Sequence, residues 1–367
     1  MKFTIARELL LKPLQLAAGV VERRQTLPVL ANVLLNLEQG QLRITGTDLE
    51  VEIRGTVPLP EAEDSGGITV PARKLLDICR SLPEGADIGL STDADQRVRI
   101  QSGRSRFTLA TLPAEEFPEV EQEEGRIRFA VQQSALRQVL EASSFAMAQQ
   151  DVRYYLNGML WEITAGRLRV VATDGHRLAL SDTEVEVNAE DRVQAILPRK
   201  GVNELARLLS EEGEARVTVG ANHLCVEGPE YRFTSKLVDG AYPDYERVIP
   251  RGGDRILEGD REVFRQAFAR TAILSNEKYR GVRLEIQPEK LKVVANNPDQ
   301  ESAEEEVPVT YEAEPLEVGF NVGYLLDVLN ALSGPRVRFS LSDANSSVLL
   351  GDPEHARALY VIMPMRL

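Results

Sequence analysis

The 367 residues include only two cysteines, three histidines and one tryptophan. Cys79 and Cys225 stand far apart in apolar segments, without the paired spacing of a zinc site or a disulfide framework, so both are expected to be buried structural thiols in a reducing compartment. His176, His223 and His355 show no HxxxH-type spacing. There is also no GxSxG nucleophile turn and no GxxxxGK phosphate loop, which argues against zinc-hydrolase, serine-hydrolase and P-loop ATPase chemistry. No apolar run approaches the ~20 residues that cross a bilayer. The opening MKFTIARELLLKPLQ is interrupted by Arg7, Glu8 and Lys12, so neither a membrane span nor a secretory leader is expected, and the expected location is cytoplasmic.

What the chain does have is length and acidity. It is longer than one hydrophobic core usually organises, which points to two or three domains. A net charge of -14 argues against a phosphate-bearing partner unless the basic residues are segregated onto one surface. That question depends on internal organisation.

Helical spacing recurs three times. Apolar residues at i, i+3, i+4 and i+7 fall at Leu75, Ile78, Cys79 and Leu82, then at Val202, Leu205, Ala206 and Leu209, then at Leu325, Val328, Leu329 and Leu332. The first residues of these stripes are 127 and 123 positions apart, close to one domain length. A second stripe repeats at Leu10, Pro13, Leu14 and Ala17, at Leu136, Val139, Leu140 and Ser143, and at Phe264, Ala267, Phe268 and Thr271. Pro13 should kink or delay the first of these helices, because it lacks an amide donor and crowds the preceding turn. Alternating runs, ADIGLSTD, ARVTVGAN and VRFSLSD, follow the first set and read as strands. TGTD ending at Asp48, VATD ending at Asp174 and VVANN ending at Asn297 recur on the same interval, as do SRFTLATLP, YRFTSKLV and ALYVIMP.

Agreement of four elements on one interval predicts three repeated α+β domains, each with two helices covering one face of an antiparallel sheet. EVEQEEG and PRGGDR suit the linkers, which sets the domains at 1–125, 126–253 and 254–367. Charge then becomes readable. The helical segments 7–24, 71–82, 134–150, 198–209, 260–270 and 321–332 are together net positive, so the remainder is more acidic than the chain as a whole. On a single helix this would be an ordinary solvated face. Repeated across helices that share one side, it suits loose contact with a polyanion.

The strings TGTDLE, VPARK, SGRSRF, VRYYLNG, TDGHRLA, FTSKLVDG, YPDY, LSNEK, FNVGYLLDVL and MPMRL resemble, in order and over the whole chain, the beta-subunit family of bacterial DNA polymerase III. The resemblance implies a DNA sliding clamp: a head-to-tail homodimer of three-domain chains, closed into a six-domain ring around duplex DNA, with helices inside and sheet outside. It implies no catalytic residues, no cofactor and no metal. A separate loader would open the ring, and sequence-independent phosphate contacts would let it slide.

The resemblance also places three sets of residues. Arg24, Arg73, Gln150, Tyr154 and Tyr155 fall where the family touches DNA. A cleft for short Gln/Leu/Phe-type peptides from replicative and repair polymerases, the clamp loader and other partners falls on Leu156, Thr173, Gly175, His176, Arg177 and Leu178. Pro243, Val248, Val361, Met363, Pro364 and Met365 complete it, and its methionines suit a surface that must fit several ligands. Ring closure falls on Lys74, Arg104, Arg106, Phe107 and Leu109 at one edge, facing Ile273, Leu274, Glu301, Glu304 and Glu305 at the other, a heterologous contact of opposite charges around apolar pairs.

Two competing readings are a non-ring peptide-binding scaffold and a metal-dependent nuclease. The second would use Asp174, His176 and Arg177 as acid, base and anion clamp, with the run Glu304 to Glu306 on metal. Recurrence of TD at two repeats and NN at the third points instead to a turn requirement.

Overall fold

In the computed structural model the stripes read from spacing face inward. The structure describes all residues except 23–26, 61, 63–64, 94–96, 119, 121–124, 188, 190 and 367. Leu10, Pro13, Leu14 and Ala17 are the buried residues of helix α1 (Arg7–Gly19), and Phe264, Ala267, Phe268 and Thr271 are those of α5 (Arg261–Ala272). The stripes of α2 (Ala72–Ser81), α3 (Gln133–Ser143), α4 (Arg199–Leu208) and α6 (Val322–Ala331) are buried in the same way, apart from the half-buried Ile78 and Ala206. Full burial of one Leu or Phe contributes about 1.5–3 kcal/mol. Such stripes therefore hold helices too short to be stable alone. Two helices also carry side-chain caps: Asp260 accepts from the Val263 amide at α5, and Asn321 from the Gly323 and Tyr324 amides at α6.

Pro13 does not delay its helix, because α1 begins at Arg7 and runs through it. The reason lies in the strands beneath. A Cβ at Gly55 would come within 2.5 Å of the Pro13 Cβ, and one at Gly46 within 2.0 Å of the Ala17 carbonyl oxygen. The helix lies so close to strands Gln41–Thr47 and Val51–Pro58 that only glycine fits at these points, and the packing offsets the missing amide donor.

The chain divides into two compact units, Met1–Ser134 with Lys200–Leu237 and Ala135–Arg199 with Val238–Leu367. Residues of the expected middle repeat are thus shared between them, because its strands join two different sheets. In the first unit, a four-stranded sheet ends in Ser105–Ala110, and a nine-stranded sheet contains the pairing of Tyr231–Lys236 with Val51–Pro58. In the second, an eight-stranded sheet contains the pairing of Arg177–Glu184 with Ala358–Ile362, and a four-stranded sheet ends in Ser302–Pro308. The paired strands are antiparallel. No helix among the described residues is long and apolar enough to cross a membrane.

Cys79 is buried in α2, and burial pushes its thiol up to about 11. Cys225, expected to be buried, is only partly so. It sits on strand His223–Glu227, where Leu224 and Val226 take the inward face and leave Cys225 on the other.

Candidate functional site

One face of the eight-stranded sheet carries an apolar cluster. Leu160, Val171, Leu178, Leu180, Ile196 and Val361 form one buried cluster with Tyr245, and Tyr155, Tyr242 and Ile249 pack against it. Leu178 stands directly opposite Val361 across the seam between Arg177–Glu184 and Ala358–Ile362, and Leu156 is also buried. Two segments carry exposed apolar side chains beside this face. Val248, 56% exposed, follows Tyr245 and the exposed Pro243, whereas Met363, 51% exposed, directly follows the last strand. The tail beyond that strand is tied by two backbone bonds, from the Met363 amide to the His176 carbonyl at 3.0 Å and from the Met365 amide to the Gly319 carbonyl at 2.9 Å. Pro364 and Met365 are half-buried, and a cavity of ≈ 590 Å³ lined by Arg247, Val248, Ile249 and Ser346 lies on the linker side. Val248 and Met363 thus stand exposed in segments that flank a buried apolar cluster.

The TDGHR segment is a turn closed by its own side chain. The Asp174 carboxylate accepts from the amides of His176 and Arg177 and from Arg177 Nε. Asp48 accepts likewise from the amides of Glu50 and Val51, and Asn297 from those of Asp299 and Glu301. All three repeats therefore use this residue as a side-chain-stabilised turn. Gly175 completes the second turn at φ +90°, and Thr173 Oγ1 donates to the Arg177 carbonyl. The Arg177 guanidinium also bonds Asp327 and the Phe145 carbonyl, with the Tyr324 ring 4.4 Å away. The guanidinium is thus committed to partners within the protein, and His176 is exposed beside it.

Arg24 lies outside the described residues. Arg73 and Lys74 are exposed on the first turn of α2. Gln150 is exposed with φ 55°, at the start of a loop where Val152 is 95% and Tyr154 58% exposed. Asp151 stiffens this loop by accepting from Arg153 Nε and Nη2 at 3.0 and 2.9 Å, bonds that hold its carboxyl down at about 2. Tyr155 turns the other way, half-buried against the apolar cluster.

Arg104 and Arg106 are exposed, and Phe107 and Leu109 half-buried, at or beside the edge strand Ser105–Ala110. Ile273, at the end of α5, is 76% exposed, and Leu274 is half-buried. Glu301 accepts from Asn297 Nδ2, while Glu304, Glu305 and Glu306 pair with Lys292, Arg270 and Lys290. Each carboxylate of that run has its own cation. Among the described residues no group of three or more His, Cys, Asp or Glu is placed to hold a metal ion.

Glu162, Arg169 and Tyr245, which no sequence spacing marks, form a polar cluster against the apolar one. The one available signal was a glutamate in the otherwise apolar strand GMLWEIT.

The fold is that of a repeat-built α+β protein in which strands of successive repeats pair with one another, at Val51–Pro58 with Tyr231–Lys236 and at Arg177–Glu184 with Ala358–Ile362. Three family descriptions match in succession: DNA polymerase III beta subunit N-terminal domain over 1–121, central domain over 130–244 and C-terminal domain over 246–366. The chain is 59% identical to the beta sliding clamp of Pseudomonas aeruginosa and 50% identical to that of Escherichia coli, covering all of each. The crystal structure of the Pseudomonas aeruginosa sliding clamp bound to griselimycin matches with a TM-score of 0.98 at 58% identity, over all of both chains. The chain belongs to the DNA polymerase III beta subunit family, the beta sliding clamps.

Proposed function

We propose that two copies of this chain close head to tail around duplex DNA and serve as a cytoplasmic sliding clamp, a processivity factor that tethers the replicative polymerase and catalyses nothing itself. The three domains are those delimited near residues 125 and 253. The observation that carries the reading is the fate of one strand pair. Tyr231–Lys236 pairs with Val51–Pro58, and Ala358–Ile362 with Arg177–Glu184. In repeat terms, the strand of the SRFTLATLP, YRFTSKLV and ALYVIMP recurrence in one domain joins the strand that follows the Asp turn of the domain before it. Ser105–Ala110 and Ser302–Pro308 are the remaining members of these two classes, and each ends its own sheet. One bears arginine and the other glutamate, so a second copy completes the pattern at both ends and the contact closes.

Encirclement replaces tight binding. Arg24, Arg73, Gln150 and Tyr154 touch phosphate without reading bases, which permits sliding. Polymerases, the clamp loader and repair proteins insert a short Gln/Leu/Phe-type segment between Val248 and Met363, over Leu156, Leu178 and Val361. Retention after loading tests the ring: the protein should stay on nicked circular duplex and leave when the circle is linearised. Equal retention on both forms would count against encirclement.

A further inference from the structure

We infer that Tyr245, with the Glu162 and Arg169 side chains beneath it, positions one wall of the partner groove; the inference rests on the groove reading above. Gln194, Glu162, Arg169 and Asp182 stand in register on four neighbouring strands, each opposite the next. They form one polar row on the face that carries the apolar cluster. The adjacent row is Ile196, Leu160, Val171 and Leu180, wholly apolar. Tyr245 and Glu162 are each 2% exposed. The Tyr245 hydroxyl donates to Glu162 Oε1 at 3.1 Å and accepts from Arg169 Nη1 at 3.4 Å. Gln194 Nε2 donates to Glu162 Oε2 at 3.0 Å, and Arg192 pairs with the same oxygen. Arg169 grips Asp182 through Nε at 2.7 Å and Nη2 at 2.8 Å.

An apolar face can hold a tyrosine ring at several neighbouring positions with similar burial, because hydrophobic attraction is non-directional. A hydroxyl bonded to one carboxylate in a single polar row fixes the ring at one of them. Stability alone would not call for the row, since replacing buried ionic groups by apolar ones of similar volume is often neutral or stabilising. What the row registers is the chain on either side of Tyr245: Pro243 two residues before it and Val248 three after it, the linker wall of the groove. Tyr242, packed on the same cluster, flanks the pin.

The test is titration of the full-length protein with a labelled Gln/Leu/Phe-type peptide, beside thermal unfolding followed by the single tryptophan, Trp161. Tyr245→Phe should weaken the peptide about tenfold, the effect of one buried hydrogen bond to a charged acceptor. The double variant Tyr245→Phe/Glu162→Gln removes the charge that has lost the tyrosine's donation, while the amide oxygen still accepts from Gln194 and Arg192. It should regain most of the unfolding midpoint while affinity stays low. Wild-type affinity in Tyr245→Phe, or affinity that returns together with the midpoint in the double variant, would overturn the inference. Removal of residues 363–367 serves as the control for the groove itself. Unchanged peptide binding after that removal would reject the groove reading and the inference with it.

Discussion

Arg177 bonds Asp327, 150 positions further along the chain, and ties the strand after the second Asp turn to helix α6. The first Asp turn has a counterpart: Asp48 pairs with Lys200, on the first turn of α4. In both compact units, then, the turn region of one repeat is charge-coupled to the second helix of the next. Asp327 is about half exposed, so its loss should cost only about 1 kcal/mol, with Arg177 still held by Asp174. Urea unfolding of Asp327→Ala should show that decrease, and an unchanged midpoint would mean that the bond contributes nothing.

Ring closure should depend on the apolar pair beyond α5. Ile273 is 76% exposed at the end of α5, with the half-buried Leu274 next to it. Ile273→Asp with Leu274→Asp would place charge in that contact. Sedimentation should then change from a dimer of twice 40.7 kDa to a folded monomer. Dimers that survive the double substitution would locate the closure elsewhere.

Arg73→Ala should weaken binding to linear duplex to a similar degree on unrelated sequences, and should reduce the salt slope of log K by about 1, the signature of one lost phosphate contact. The exposed guanidinium on the first turn of α2 motivates this. Discrimination among duplex sequences by the wild type would contradict sliding.

Alkaline pH should destabilise the protein. Burial pushes Tyr231 up to about 12, and Tyr242 and Tyr360 higher still, against 10.0 for the ordinary phenol. These raised values favour the neutral form in the folded state. Their contribution is therefore complete below pH 10 and declines as pH rises from there toward the folded values, because the unfolded chain ionises first. Urea midpoints should fall between pH 8 and pH 11, and phenolate absorbance should appear together with unfolding. Phenolate absorbance from all nine tyrosines while the fold persists would contradict the burial argument.

The three-fold repeat was legible because burial imposes helical spacing, and the stripes of α1 and α5 are their buried residues. The Asp48, Asp174 and Asn297 turn was legible because a side-chain acceptor at a fixed offset leaves a residue-type signature. Two features were not. Pro13 could be reconciled with a continuous helix only through Gly55, which is 42 residues away and adjacent only in the fold. Glu162 and Tyr245 meet across 83 positions, and no local periodicity reports such a pair. Arg177 looked like a ligand-facing cation, but its commitment to Asp327 required the position of α6.

The tail carries the sharpest test of function. The Met363 amide bonds His176 and the Met365 amide bonds Gly319, so the tail is held in place while the Met363 side chain stays exposed. Deleting residues 363–367 removes that apolar margin and both anchoring bonds, but leaves strand Ala358–Ile362 with its pairing to Arg177–Glu184. Fold and dimer should therefore survive, since the proposed closure uses Phe107 and Ile273. DNA retention after loading should survive too, because it depends on closure alone. Peptide binding and polymerase stimulation should both be lost. Peptide titration beside sedimentation of the truncated protein checks this. Loss of the dimer along with the peptide would instead make the tail a folding element.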